Sequence, residues 1–237
     1  MSPALLHGFF EALAWVLAIA VGFHIRRRYP AATAFALSTP RFPLYLALLW
    51  LGAIAGAYAL GTANLALGHA AGEGRSILGA ILGGILVAEI YKQVLGIKGS
   101  TGFIFVLPLA VAIAVGRIGC FSAGLADYTF GTPTSLPWGV DFGDGIPRHP
   151  VQLYESLTMA VFAVGFFLWL RRRQAAAAAY GFYVFAAVYG AQRFLWEFVK
   201  PYPTVLGPFN LFHLACLALV VYACVMLRRV ATAHAFA

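Results

Sequence analysis

Seven runs of mainly apolar residues, each close to the ~20 that cross a bilayer as a helix, recur along this 237-residue chain. They fall at roughly 9–25, 43–62, 77–91, 101–118, 151–170, 180–197 and 205–227. Only 10% of the residues are charged, whereas 62% are hydrophobic. A soluble domain carries about 25% charged residues, so this chain cannot cover a water-facing surface. The expected fold is all-α: one transmembrane domain over 1–237 with seven helices and short connections. The third run is the least regular, because it carries Glu89 and several glycines, and the sixth ends on Arg193 and Glu197.

Lys and Arg are retained on the cytoplasmic side of membrane proteins. With the N-terminus outside, Arg26, Arg27, Arg28, Arg41, Lys92, Lys98, Arg171, Arg172, Arg173, Arg228 and Arg229 all fall inside. That orientation leaves the C-terminus in the cytoplasm. The net charge of +8 is then a topology signal, and no nucleic acid is expected as a partner. The start, MSPALLHGFFEALAW, has no basic leader region and is not read as a removed signal peptide. Cys120, Cys216 and Cys224 show no pairing or metal-ligand spacing, and the last two read as packing residues. No metal and no cofactor are expected. His24 and His213 read as packing groups in span interiors or at inner ends.

Five cations break the rule: Arg75, Arg117, Arg148, Arg193 and Lys200 fall on the outer side. So do most of the acids, and so does the one long loop, about 119–150, whose Gly, Pro and Asp content predicts turns and short irregular pieces. Arg117 stands at the end of a span, where a charge is costly to insert. It either snorkels to anchor the helix or binds a ligand, and Gly116, Gly119 and Gly124 beside it favour close approach. Arg193 and Glu197 lie four apart on one helix face. They form either a structural ion pair or an anion site in which Glu197 orients Arg193. The run RHPVQLYE crowds Arg148, His149, Gln152, Tyr154 and Glu155 around a helix entry marked by Pro150. Arginines Arg117, Arg148 and Arg193 at one leaflet suit a phosphate through bidentate hydrogen bonds. A phospholipid headgroup is the ligand present at that depth.

The segments GRIGCFSAG (116–124), RHPVQLYE (148–155) and YGAQRFLWEF (189–198) resemble bacterial prolipoprotein diacylglyceryl transferase. The resemblance covers most of the chain from about 74 to 227. It implies a bacterial inner-membrane enzyme with its site toward the outer side. It implies that the diacylglyceryl group of phosphatidylglycerol passes to the thiol of a lipobox cysteine in a preprolipoprotein, and that glycerol 1-phosphate leaves. Arg117, Arg193, Glu197, His149 and Glu155 are then the expected catalytic residues. Arg148, Gln152, Tyr154, Gly116, Gly119 and Asp127 are the expected substrate-binding ones. The sequence departs from the family pattern at Cys120 and Ala123, where asparagines stand, and at Leu125, where an acid stands. The family's His-Gly-Gly motif aligns with Leu78, Gly79 and Ala80, so its histidine is missing. The base would then be His149, Glu155 or Asp127, or nearby arginines alone would ionise the thiol. Three other readings compete: a lipid transferase with another acceptor, a non-catalytic phospholipid-binding or scaffold protein, and a small-solute transporter. Charge gathered at the outer rim and not at the midplane weighs against the last.

Overall fold

The computed structural model describes residues 2–69 and 72–235. Among them are eight α-helices: α1 (Pro3–Arg28), α2 (Pro30–Leu37), α3 (Phe42–Leu67), α4 (Ile77–Val94), α5 (Val106–Ala123), α6 (Val151–Arg172), α7 (Gln174–Glu197) and α8 (Leu211–Ala235). Two small hairpins complete the described structure. β1 (Val140–Asp141) pairs with β2 (Pro147–Arg148), and β3 (Thr204–Leu206) pairs with β4 (Phe209–Asn210). Helix starts follow local chemistry. Ser2 accepts from the Leu5 N–H at 3.3 Å with Pro3 in the first turn, and Ser76 accepts from the Gly79 N–H at 3.2 Å.

Six of the seven long helices are long and apolar enough to cross a membrane, and only α7 falls short in apolarity. Their outer faces carry large exposed apolar side chains, such as Leu5, Trp15, Trp50, Leu86 and Leu157. A surface of this kind is stable against lipid and not against water. The chain is therefore an all-α, multi-pass membrane protein.

Neighbouring helices run in a row, α1 against α5, α5 against α6, α6 against α7 and α7 against α8, and α3 and α4 form a further close pair that touches the row through α4 and α8. Glycines create that pair. A Cβ on Gly56 would lie 2.2 Å from the Gly79 carbonyl oxygen, and one on Gly83 would lie 2.1 Å from that of Gly52. Small residues four apart let two backbones touch, which is how helices associate without a hydrophobic drive in lipid. Gly79 and Gly83 of the third run are thus an interface. Glu89 accepts from Lys92 at 2.8 Å and from the Tyr222 hydroxyl of α8 at 2.7 Å.

Several expectations are corrected. The connection after the first span contains helix α2, started by Pro30 and buried through Ala32, Thr33 and Ala36. The last long helix begins at Leu211 and not near 205, because the chain first turns through β3 and β4 with Gly207 at φ 55°. The long loop opens after Ala123, since Gly119 and Cys120 still belong to α5. Gly124, at φ 63°, ends that helix in a conformation that favours glycine. Cys216 is buried as expected, but Cys224 and His24 are exposed. His213 is buried as expected, in the first turn of α8.

Candidate functional site

The C-terminal ends of α5 and α7 meet the N-terminal ends of α6 and α8, and their polar residues fuse into one buried cluster. Glu155, in the second turn of α6, is fully buried and lies at its centre. Arg117 of α5 reaches its Oε2 through Nε. Arg193 of α7 donates from Nη1 to Oε1 at 3.1 Å and to Oε2 at 3.3 Å. Lys200, in the turn after α7, donates from Nζ to Oε1 at 2.7 Å. Arg193 also holds Glu197 Oε1 through Nε at 2.6 Å. Asn210, at the end of β4, donates to Glu197 Oε2 at 3.2 Å. His213 fixes Asn210 in turn: its Nδ1 accepts from the Asn210 N–H at 3.1 Å, and its own N–H donates to Asn210 Oδ1 at 2.9 Å.

Arg117, Glu155, Arg193, Glu197 and Lys200 are all at least nine-tenths buried. Burying a charge is costly unless it is paired and hydrogen-bonded. With Lys200 as the ammonium, three cations face two carboxylates, an excess of one positive charge. Burial pushes the Lys200 ammonium's pKa down, with the nearby arginines adding to the effect, while Glu155 and Glu197 oppose it. Each guanidinium has five N–H donors, and none of the contacts just described uses the Nη2 group of Arg117 or Arg193. Gln152, three residues before Glu155 in the sequence, and Gln192, next to Arg193, are buried, and their amide groups have no hydrogen-bond partner among the described residues. A buried, unsatisfied amide costs about 1–3 kcal/mol. The cluster is thus a cationic site with unused donors and acceptors.

Arg148 stands elsewhere. Its Nη1 meets Asp144 Oδ1 at 2.6 Å and the Ile146 carbonyl oxygen at 3.0 Å, and its guanidinium lies over the Phe130 ring at 5.4 Å. The Arg148 guanidinium, by hydrogen bonding, holds the Asp144 carboxyl below the usual carboxylate range. The expected meeting of Arg117, Arg148 and Arg193 is therefore replaced by one of Arg117, Arg193 and Lys200. His149 Nδ1 lies 3.4 Å from the Tyr154 hydroxyl, which accepts from Trp138 Nε1 at 2.8 Å. These residues line the seam where the long loop docks on α6 and α7. Thr132 N–H donates to the Val199 carbonyl at 2.7 Å, and Gly131 N–H to that of His149 at 3.1 Å. A Cβ on Gly131 would lie 2.5 Å from the His149 carbonyl oxygen.

The glycines beside Arg117 differ. Gly116 has open space where a Cβ would stand, whereas Gly119 packs on Phe10 and His7 of α1. That contact brings His7 to Cys120 and Asp127. Lys200, Asn210, His213 and His7 are the members that sequence spacing does not assign to the site. The usable signal for Lys200 is its place among the cations on the wrong side of the charge rule.

Fold and site together define a multi-pass membrane protein with a buried, positively charged site at one end of its helix row. The chain belongs to the prolipoprotein diacylglyceryl transferase family, whose model matches residues 6–229. Similar proteins include the phosphatidylglycerol–prolipoprotein diacylglyceryl transferase of Bordetella parapertussis, 37% identical over 139 residues, 56% of this chain and 51% of the relative. The enzyme of that name from Cupriavidus metallidurans is 37% identical over 140 residues, 56% of this chain and 50% of the relative. The Clostridium tetani one is 34% identical over 139 residues, 56% and 54%. The chain thus spans about half the length of the curated relatives it matches. No solved structure matches it.

Proposed function

We propose that the protein transfers the diacylglyceryl group of phosphatidylglycerol to the thiol of a lipobox cysteine in a preprolipoprotein, releasing glycerol 1-phosphate. The observation that carries this reading is the buried excess of positive charge around Glu155. A phosphodiester brings one negative charge and acceptor oxygens, which answer both the charge excess and the unused guanidinium donors. As the C–O bond to phosphate breaks, negative charge grows on the leaving group. Arg117 and Arg193, preset by Glu155 and Glu197, stabilise that charge without having to reorganise. Gln152 and Gln192 supply neutral partners for the glycerol hydroxyls. Arg148, His149, Tyr154 and Asp127 line the way in for the acceptor peptide.

The same reading sets the topology. The N-terminal end of α1 lies at the site end, and Arg26, Arg27 and Arg28 close its far end. The seven long helices then cross the inner (plasma) membrane with the N-terminus outside, the C-terminus in the cytoplasm and the site facing outward.

Purified protein supplied with labelled phosphatidylglycerol and a lipobox peptide is expected to yield a thioether-linked diacylglyceryl peptide. Lipid binding without product would overturn the transfer reading. It would favour the alternative that Leu78 supports: a related protein with another acceptor, or a non-catalytic phospholipid-binding or scaffold protein. Leu78, which the resemblance aligns with the family's histidine, is fully buried in α4.

A further inference from the structure

His7, Cys120 and Asp127 are far apart in sequence, yet their ligand atoms all lie within 4.8 Å of one another. Three features bring them together. Gly119 lets α1 approach α5, so that a Cβ there would sit 3.3 Å from the His7 ring carbon Cδ2. Cys120 follows on the last turn of α5. Gly124, at φ 63°, then reverses the chain into a short 3-10 turn, Gly124–Asp127, and returns Asp127 toward the helix it has just left. The Thr129 hydroxyl donates to Asp127 Oδ2, which fixes the carboxylate. Arg117 Nη1 lies 3.8 Å from Cys120 Sγ, which fixes the sulfur at the edge of the cation cluster.

We propose that His7, Cys120 and Asp127 bind a zinc-class divalent cation. One imidazole, one thiolate and one carboxylate suit zinc and exclude the all-oxygen shells of magnesium and calcium. Tetrahedral zinc with bonds of about 2.0–2.3 Å sets its ligand atoms about 3.5 Å apart. The three side chains, all half-buried, need draw in by only about 1 Å. Three protein ligands leave the fourth position open, the arrangement of zinc sites that act on a ligand.

The open position takes the thiol of the acceptor cysteine; this part rests on the transfer reading above. A thiol that coordinates zinc loses its proton, here to the water at the outer rim. The zinc-bound sulfur then forms the S–C bond to the glyceryl carbon as the C–O bond to phosphate breaks. The bonding pair leaves with the phosphate, which Arg117 and Arg193 receive. Zinc thereby supplies the thiol activation for which Leu78 offers no histidine.

The test uses the purified full chain with cobalt(II), whose spectrum reports thiolate ligation. One cobalt per chain is expected, with a thiolate-to-cobalt band that Cys120→Ser abolishes. His7→Ala and Asp127→Ala should weaken binding by at least about tenfold. Failure to bind cobalt, or a band that survives Cys120→Ser, overturns the site. A lipobox peptide should strengthen the band, and its Cys→Ser analogue should not. An unmoved band, or full transfer by metal-stripped protein, overturns the thiol role. If even untreated protein transfers nothing, the transfer reading fails while the cobalt spectrum still decides the metal site.

Discussion

Arg193 of α7 and Glu155 of α6, 38 residues apart, meet through Nη1 at 3.1 and 3.3 Å from the two carboxylate oxygens. Both are buried, and Glu155 also holds Arg117 and Lys200. One carboxylate therefore fixes three cations from three segments, α5, α7 and the turn beyond α7. The site is preorganised around an anion of the protein and left short of one more.

Glu155→Gln should be the most damaging single change in the cluster. It keeps the shape but leaves three buried cations without their shared partner. Removing one member of a buried pair costs about 3–5 kcal/mol. We expect a clear fall in the thermal midpoint in detergent and loss of transfer. Added phosphate or phosphatidylglycerol should recover part of the midpoint, because a bound anion stabilises the state that binds it.

Arg193→Lys separates charge from geometry. An ammonium can contact Glu155 or Glu197, whereas the guanidinium holds both at once from Nη1 and Nε. The variant should fold. Transfer should fall by about 10²–10³-fold, as on losing one preset donor to a developing anion, with the loss in kcat more than in KM. Unchanged kcat would place the phosphate elsewhere.

Part of this site is legible in the sequence because it is local. Arg193 and Glu197 share a helix face at four-residue spacing, and they pair as that spacing predicts. Glu155 is legible as a carboxylate at a helix entry, but its three partners are not, since their meeting depends on how α5, α6 and α7 pack. Arg148 shows the opposite case. Its neighbours in sequence place it with the site, but the β1–β2 hairpin delivers Asp144 to it instead. Nothing in the sequence ties His7 to Cys120 and Asp127; the close approach of α1 to α5 at Gly119 does. The spans are legible from composition, whereas their bounds are not: turns take the place of helix near 205, and α5 runs on past 119 to Ala123.

The α3–α4 pair supplies a test of the fold. Gly56→Leu must push apart two backbones already in contact, since even a Cβ would lie 2.2 Å from the Gly79 carbonyl. Overpacking of this kind costs about 1–3 kcal/mol or more. Gly84 has open space, and Gly84→Ala should stay within about 1 kcal/mol of the parent, helped by helix propensity. Thermal unfolding of the two variants in detergent should separate them clearly.

The Asp144–Arg148 pair gives a pH dependence with a defined sign. Asp144 is held below the usual carboxylate range in the folded loop. Its contribution is therefore complete above the unfolded value of about 3.9, and it is lost as pH falls through the lower folded value. Both groups are in contact with solvent, so salt weakens the pair and the global midpoint should scarcely move. Arg148→Ala should return the Asp144 carboxyl to the ordinary range, followed by its carbon-13 shift.

Topology is the broadest claim and has the simplest test. Asp141→Cys, in the β1 strand of the long loop, should react with a membrane-impermeant thiol reagent added to intact cells, in a background with Cys120, Cys216 and Cys224 replaced. Gln174→Cys, at the start of α7 after Arg171, Arg172 and Arg173, should react only after the cells are opened. The two positions lie at opposite ends of α6, a helix of 22 residues, about 33 Å long and enough to cross the hydrocarbon core. Labelling of Gln174→Cys in intact cells would invert the orientation and place the Glu155 cluster on the cytoplasmic side. Labelling of both would mean that α6 does not cross the membrane.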